Sequence, residues 1–296
     1  MTEVEGLLLD IDGVLVVSWE PLAGAAQVIE RCRSAGLSMR FLTNTTSISR
    51  AEIARRLTAG GIPADEREIL TAPAATAAWI RATHPDARCY LINSGDLGDD
   101  FAGVDLVSGD EDADLVVLGG AGPEFSYQQM NHALGLLLGG SQLVGMHRNW
   151  YWRTAEGFSL DTGAYLAALE GAAGVTATVL GKPSPDFFTT ALTELGCRGD
   201  QVVMVGDDID NDVLGAQAVG IRGVLVRTGK YRPETEAAAP GRPHQVIDSV
   251  RDHPETRARS WTGRAGRRRL RASAAGGPGG RSRTRRDPRP RRGAPG

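Results

Sequence analysis

The sequence predicts an α/β fold with largely parallel sheets. Three observations carry that reading. Continuous apolar runs of strand length recur along the chain, amphipathic stretches of helix length separate them, and polar residues suited to chemistry collect at the ends of four of the runs. A strand covered on both faces reads as an unbroken apolar run, and strands that alternate with helices imply crossover connections.

Gly6 to Asp10, GLLLD, is the first such run. In PLAGAAQVIERCRSAG, Leu22, Ala25, Ala26, Ile29 and Cys32 fall at helical spacing and Gly36 supplies a stop. LSMRFLTN is a second strand. Ser49-x-x-Glu52 fits a capping box and opens a helix with Ile53 and Leu57 on one face and Gly60-Gly61 at its end. TAPAATAAWIRATHP reads as another helix, with Pro73 tolerable in its first turn. From about Ala87 to Val179, the strand-like ARCYLIN, DLVVLGG and SQLVGMHR interleave with the helix-like SYQQMNHALGLLL and TGAYLAALEGAAG. VTATVLGK, PDFFTTALTELG, QVVMVGDD, NDVLGAQAVG and IRGVLVRTG continue as strand, helix, strand, helix, strand.

Charge divides the 296 residues unevenly. From Arg251 onward, fifteen arginines face three acids, a net of +12, which leaves 18 basic and 33 acidic residues, or −15, for the rest. That end is built from Arg, Gly, Pro and Ala; it buries too little apolar surface to offset its ordering entropy and is expected to be disordered. It binds nucleic acid, if at all, through charge alone, since Trp261 is its one aromatic. The same vocabulary is what GC-rich codons yield when read without selection for a fold. No run of about 18 apolar residues suggests a membrane span. Cys32, Cys89 and Cys197 are scattered and odd in number, which argues against a disulfide framework or a zinc site and for a reduced, cytoplasmic protein.

The four strand ends carry the function. LLL runs into Asp10 and Asp12, MRFL into Thr43 and Asn44, ATVL into Gly181 and Lys182, and QVVMV into Gly206, Asp207 and Asp208. In an open parallel sheet, ligands bind outside the carboxyl ends of the strands, so these groups meet at one edge. The set suits phosphoryl transfer. Asp10 can attack phosphorus and form an acyl-phosphate. Magnesium on Asp10 and Asp207 offsets the repulsion between carboxylate and phosphate. Lys182 adds a cation and Thr43 a hydroxyl donor. Asp12 can protonate the leaving oxygen and then deprotonate water.

Asp-x-Asp-Gly-Val at residues 10–14, Thr43, Lys182 in Gly-Lys-Pro, and Gly-Asp-Asp-x-x-x-Asp at residues 206–212 resemble, in order, the four motifs of the haloacid dehalogenase-like superfamily. The long insertion between the second and third motifs is similar to class II capped members, the p-nitrophenyl phosphatase-like subfamily IIA. Within that subfamily, MRFLTNTTSISR, YQQMNHALGLLLGG, GKPSPDFF and VGDDIDNDVLGAQAVGIRGVLVRTGKY resemble the branch of the hydrolase domain-containing protein 2 type and the phospholysine phosphohistidine inorganic pyrophosphate phosphatases. The resemblance implies a Rossmann-like core at residues 1–75 and 180–250, an α/β cap at residues 76–179 and a cap-mediated homodimer. It implies Asp10 as nucleophile, Asp12 as general acid/base, and magnesium on Asp10, the Asp12 carbonyl and Asp207. Thr43 and Lys182 would hold phosphate with Asn44 beside it; Asp208 and Asp212 would stand behind them. HRNWYWRTAEGF, residues 147–158, falls where related caps present their specificity segment, without the Asn-Pro-Asp these often show.

Rival readings are weaker. An EF-hand starting at Asp208 needs Gly sixth and Glu twelfth, where the chain has Val213 and Val219. A P-loop needs Ser or Thr where Pro183 follows Lys182. The motifs do not separate hydrolysis of a small phosphorylated compound from phosphotransfer by a mutase. A non-catalytic phospho-ligand or nucleic-acid binding protein is the non-enzyme alternative. Trp150, Tyr151 and Trp152 suit packing, a dimer contact or substrate binding equally, and His147 receives no catalytic role.

Overall fold

The apolar run at the N-terminus is enclosed on both sides, and as strand β1 (Gly6–Asp10) all five of its residues are buried. The computed structural model describes residues 3–154 and 157–252; the arginine-rich end, expected to be disordered, lies outside the described residues. After β1 come a small hairpin, β2 (Val16–Val17) and β3 (Glu20–Pro21), then α1 (Ala25–Ser34), β4 (Ser38–Thr43), α2 (Arg50–Ala59) and β5 (Ile69–Thr71). The next helix, α3 (Ala72–Thr83), leads into β6 (Arg88–Ile92), β7 (Asp105–Val107), β8 (Leu115–Leu118), α4 (Tyr127–Leu138) and β9 (Gln142–Gly145). A hairpin of β10 (Tyr151–Thr154) and β11 (Gly157–Leu160) precedes α5 (Thr162–Ala173) and β12 (Thr178–Val179). The described residues continue with α6 (Pro185–Leu195), β13 (Val202–Gly206), α7 (Gly215–Gln217), β14 (Arg222–Val226), α8 (Pro233–Ala238) and β15 (Gln245–Ile247).

The strands form two larger parallel sheets. One has the order β15-β14-β13-β1-β4-β5 and the other β12-β9-β8-β6-β7, so the second is inserted between two strands of the first. The α/β fold expected from the alternation is the one found. Successive residues of β1 point to opposite faces. Leu7 and Leu9 pack with Met39, Phe41, Val203, Val205 and the buried faces of α1 and α2. Leu8 packs on the other side with Leu42, Met204 and Phe187 and Phe188 of α6. The inserted sheet repeats this scheme, with α4 and α5 on one face and α3 on the other.

Strand β5 runs straight into α3, so the expected boundary between residues 75 and 76 falls inside that helix. Thr71 Oγ1 accepts the Ala74 N–H and donates to the buried Asp100 of the inserted unit at 3.2 Å, and Arg50 Nε meets the same carboxylate at 2.5 Å. The inserted unit also meets the loop after β4, through Asn93 Nδ2 to Thr46 O and Asp96 N–H to Ser47 O.

Some elements differ from expectation. Ser49 does cap α2, accepting the Glu52 N–H at 3.3 Å, but Glu52 does not reach back to complete the box. Its carboxylate is drawn instead to Arg55 and Arg56, one turn on, at 2.6 Å each. The segment NDVLGAQAVG, expected to be a helix, opens as a π turn at Ile209–Leu214 and relaxes to α only at α7. Residues 147–158 contribute most of an unforeseen hairpin. No helix among the described residues is long and apolar enough to cross a membrane.

Candidate active site

The register of the central strands brings the expected groups to one edge. Asp10 lies opposite Leu42 and Leu9 opposite Val205, so β1, β4 and β13 end together, at Asp10, at Thr43 and just before Asp207. Lys182, arriving from β12, reaches between them. Its Nζ donates at 2.6 Å to Asp10 Oδ1 and at 2.6 Å to Asp212 Oδ1, and all three residues are buried. Burial penalises the Lys182 charge most, but Asp10 and Asp212 together outweigh it and hold the ammonium protonated well above its usual range. Taking these ions from water costs several kcal/mol each, which pairing at this distance offsets.

Asn44 sets the position of that lysine. Its Oδ1 accepts the Lys182 N–H and its Nδ2 donates to the Lys182 carbonyl, both at 2.9 Å, across 138 residues of chain. Thr43 Oγ1 donates to Thr45 Oγ1 at 2.8 Å and accepts the Thr45 N–H at 3.0 Å. Asp12 is exposed at the pocket wall, on a turn closed by Gly13 N–H to Val16 O. Asp208 accepts the N–H groups of Asp210 and Asn211 and the Asn211 amide, which starts the π turn. That turn brings Asp212 back under Lys182, and Asp212 Oδ2 accepts the Asp208 N–H.

Asp207 sits in a cradle made for a bare carboxylate. Its Oδ2 accepts the Lys230 N–H at 2.5 Å. Gly13 and Gly229, both at positive φ, press against it so closely that a Cβ would lie 1.9 and 2.0 Å from Oδ2. Its Oδ1 is buried with no hydrogen-bond partner among the described residues. Ligand oxygens of Asp10, Asp207 and Asp212 all lie within 4.8 Å of one another. Burial, then the charges of Asp10 and Asp212, push the Asp207 carboxyl well above the usual carboxylate range; burial likewise pushes Asp212 up, against Lys182. Three crowded carboxylates with one ammonium between them lack positive charge, and an orphaned carboxylate oxygen lacks a partner. A small divalent cation that prefers oxygen ligands supplies both.

Above this floor the inserted unit provides a roof. A cavity of about 200 Å³ is lined by Asp10, Asp12, Thr43, Lys182 and Asp212 below and by Ala121, His147, Asn149 and Asp161 from the insertion. His147 is buried; Nδ1 accepts the Asn149 N–H at 3.3 Å, so the ring proton is on Nε2, 3.4 Å from Thr162 Oγ1. Burial pushes its imidazole below the usual range, with Asp161 opposing, so at neutral pH it is an uncharged donor. Trp150 and Tyr151 face solvent beside it; the side chain of Trp152 lies outside the described residues.

Sequence reasoning missed Lys230, Asn211, Thr45, Thr46, Ser47 and Asp161, which all line the cavity; His147 and Asn149, from the segment expected to face substrate, line it too. Lys230 had a signal: it follows the end of β14, another strand of the same sheet, by four residues. Asp161 had none, since it ends no apolar run.

Residues 7–107 match the family described as haloacid dehalogenase-like hydrolase, and residues 179–253 the one described as HAD-hydrolase-like. The human phospholysine phosphohistidine inorganic pyrophosphate phosphatase is 40% identical over 239 residues, 79% of this chain and 86% of that protein. The human haloacid dehalogenase-like hydrolase domain-containing protein 2 is 36% identical over 246 residues, 83% and 93% of the two chains. Among solved structures, the p-nitrophenyl phosphatase from Archaeoglobus fulgidus superposes with a TM-score of 0.79 at 29% identity, covering 85% of this chain and 98% of its own. NagD from E. coli K-12 gives 0.78 at 25% identity, covering 86% and 100%.

Proposed function

Since this chain belongs to the haloacid dehalogenase-like hydrolases, we propose that it is a magnesium-dependent phosphatase that hydrolyses a small phosphorylated substrate through an aspartyl-phosphate. The observation that carries this is the buried carboxylate triad around Lys182, with one Asp207 oxygen unpartnered beside the Asp10 nucleophile. Several similar proteins are named phosphatases, which supports the same reaction class.

Lys182 holds Oδ1 of Asp10, so the other carboxylate oxygen is the one that attacks phosphorus. The phosphorus–oxygen bond to the leaving group breaks as the aspartyl–phosphorus bond forms, and Asp12 delivers its proton to the departing oxygen. Asp12 then takes a proton from water as that water attacks the acyl-phosphate, which returns Asp10 and releases phosphate. Lys182 and the Thr43 hydroxyl hold the phosphoryl oxygens, and Asn44 keeps Lys182 in place. Asp10, Asp207 and the Asp12 carbonyl would hold magnesium, with Asp212 adjoining; when bound, it offsets the charge repulsion between carboxylate and phosphate.

Residues 76–179 act as the cap that excludes bulk water. The exposed Trp150, Tyr151, Phe158 and Leu160 on and beside the hairpin support a homodimer contact. Cysteines without disulfides, two of them buried, suit a cytoplasmic setting. Phosphate release from a panel of phosphorylated metabolites, with magnesium and with EDTA, tests the reading with wild type beside Asp10→Asn. Magnesium-dependent release that falls at least about a thousandfold in the variant is expected. Equal release by the variant, or none from any compound by folded wild type, would sink it.

A further inference from the structure

Burying a charge is costly, so each ionisable group lining the cavity should have a reason to be there. Five carboxylates line it, on Asp10, Asp12, Asp161, Asp208 and Asp212, against two ammonium groups, on Lys182 and Lys230. Asp10, Asp12 and Asp212 belong to the reaction, and Asp208 is occupied with the π turn. Asp161 has no such account.

Asp161 is 7% exposed and stands in the roof, on the inserted unit, across from the phosphate groups of the floor. Its Oδ1 accepts the Thr162 N–H at 2.8 Å and so caps α5. Ser, Thr or Asn cap a helix as well without a buried charge, so the cap explains the oxygen but not the negative charge. The one ion-pair contact of Asp161 among the described residues is His147 Nε2 at 3.9 Å, and burial keeps that imidazole neutral. Arg148, the nearby cation in sequence, is taken by Glu170 through two bonds of 2.8 and 2.7 Å. Among the described residues no lysine or arginine pairs with Asp161, although Lys230 lines the same cavity, and the pocket is already rich in carboxylates.

We infer that Asp161 is a specificity-determining residue, and that the preferred substrate carries a protonated nitrogen on its leaving group, seated against Asp161 while the phosphoryl group lies on the floor. The inference rests on the phosphatase reading and narrows its substrate class. It follows that compounds with an anionic leaving group, which the surplus of carboxylates repels, are poorer substrates. Burial keeps the neighbouring His147 imidazole uncharged, so it adds no competing charge.

The test compares kcat/KM for aminoethyl, aminopropyl and aminobutyl phosphate with that for ethyl, propyl and butyl phosphate, with p-nitrophenyl phosphate as reference. Wild type is expected to favour at least one amine over its alkyl match by about tenfold, the order set by one partly buried charge pair. Asp161→Asn, which keeps the cap, should bring that ratio near one and leave the alkyl phosphates within about twofold of wild type. Asp161→Ser, a second neutral capping residue, should behave alike if the amide variant folds poorly. No amine preference in wild type overturns the inference, as does an unchanged ratio in the neutral variants or an equal loss on both substrate series. No release from p-nitrophenyl phosphate or any other compound removes the phosphatase reading itself, and this inference with it.

Discussion

On the floor of the cavity each charge answers another. Lys182 bridges Asp10 and Asp212, Asn44 fixes the Lys182 backbone, and a backbone N–H and two glycines fix Asp207. On the roof the polar groups are spaced more widely, with His147 and Asp161 3.9 Å apart and, among the described residues, no lysine or arginine paired with Asp161. On the proposed reaction the floor lacks one charge, that of the cation it would bind, whereas the roof, by our inference, suits a charge that the substrate would bring. On that reading the floor would suit any phosphoryl group, and selection among compounds would fall to the roof.

The largest expected effect breaks the floor. Lys182→Met should lower phosphate release by about a hundredfold or more on every compound alike. In EDTA it should also destabilise the fold by about 3 kcal/mol, because two buried carboxylates lose their partner. Urea midpoints with and without magnesium measure the second effect. A loss confined to some substrates would blur the line between floor and roof.

A smaller effect belongs to the roof. His147 is held neutral by burial, so the folded state resists a proton that the unfolded chain accepts below about pH 6.5. Stability should be full above that pH and decline as pH falls below it, by up to about 1.4 kcal/mol per pH unit. His147→Gln should lack that component. Urea midpoints of both proteins between neutral and acid pH give the difference, and parallel curves would show that His147 is protonated in the folded roof.

The smallest effect asks whether both regions are equally closed. Cys32 of α1 is sealed against the first sheet and Cys89 of β6 between the inserted sheet and α3, and burial with the charges of Asp105 and Asp114 pushes the Cys89 thiol up to about 11. Cys197 is only half-buried. A thiol reagent at mildly alkaline pH should modify Cys197 first and leave the other two until the protein unfolds. Early loss of Cys89 would mean that the inserted unit opens independently.

The floor was legible in the sequence because its residues follow unbroken apolar runs. A buried strand announces itself, and whatever polar residue ends it must lie at the sheet edge, as Asp10, Thr43 and Asp207 do. Short edge strands such as β5 and β7, of three residues each, carry too little pattern to be read. The π turn was hidden because its cause, the Asp208 side chain gathering three donors, is a matter of geometry rather than period. Asp161 was hidden for a similar reason. In sequence it is one more helix-capping aspartate, and only the packing of the insertion over the floor gives its charge something to face.

The glycines around Asp207 bear on how this chain can vary. Every single-base change that turns a glycine codon into that of another amino acid adds a Cβ, and at positions 13 and 229 that atom would occupy the space of Asp207 Oδ2. In a library that samples all residues at all positions, these two should return glycine alone among active clones, as strictly as the aspartates do. Two residues with no side chain to contribute would therefore rank with Asp10, the proposed nucleophile, in their intolerance of change.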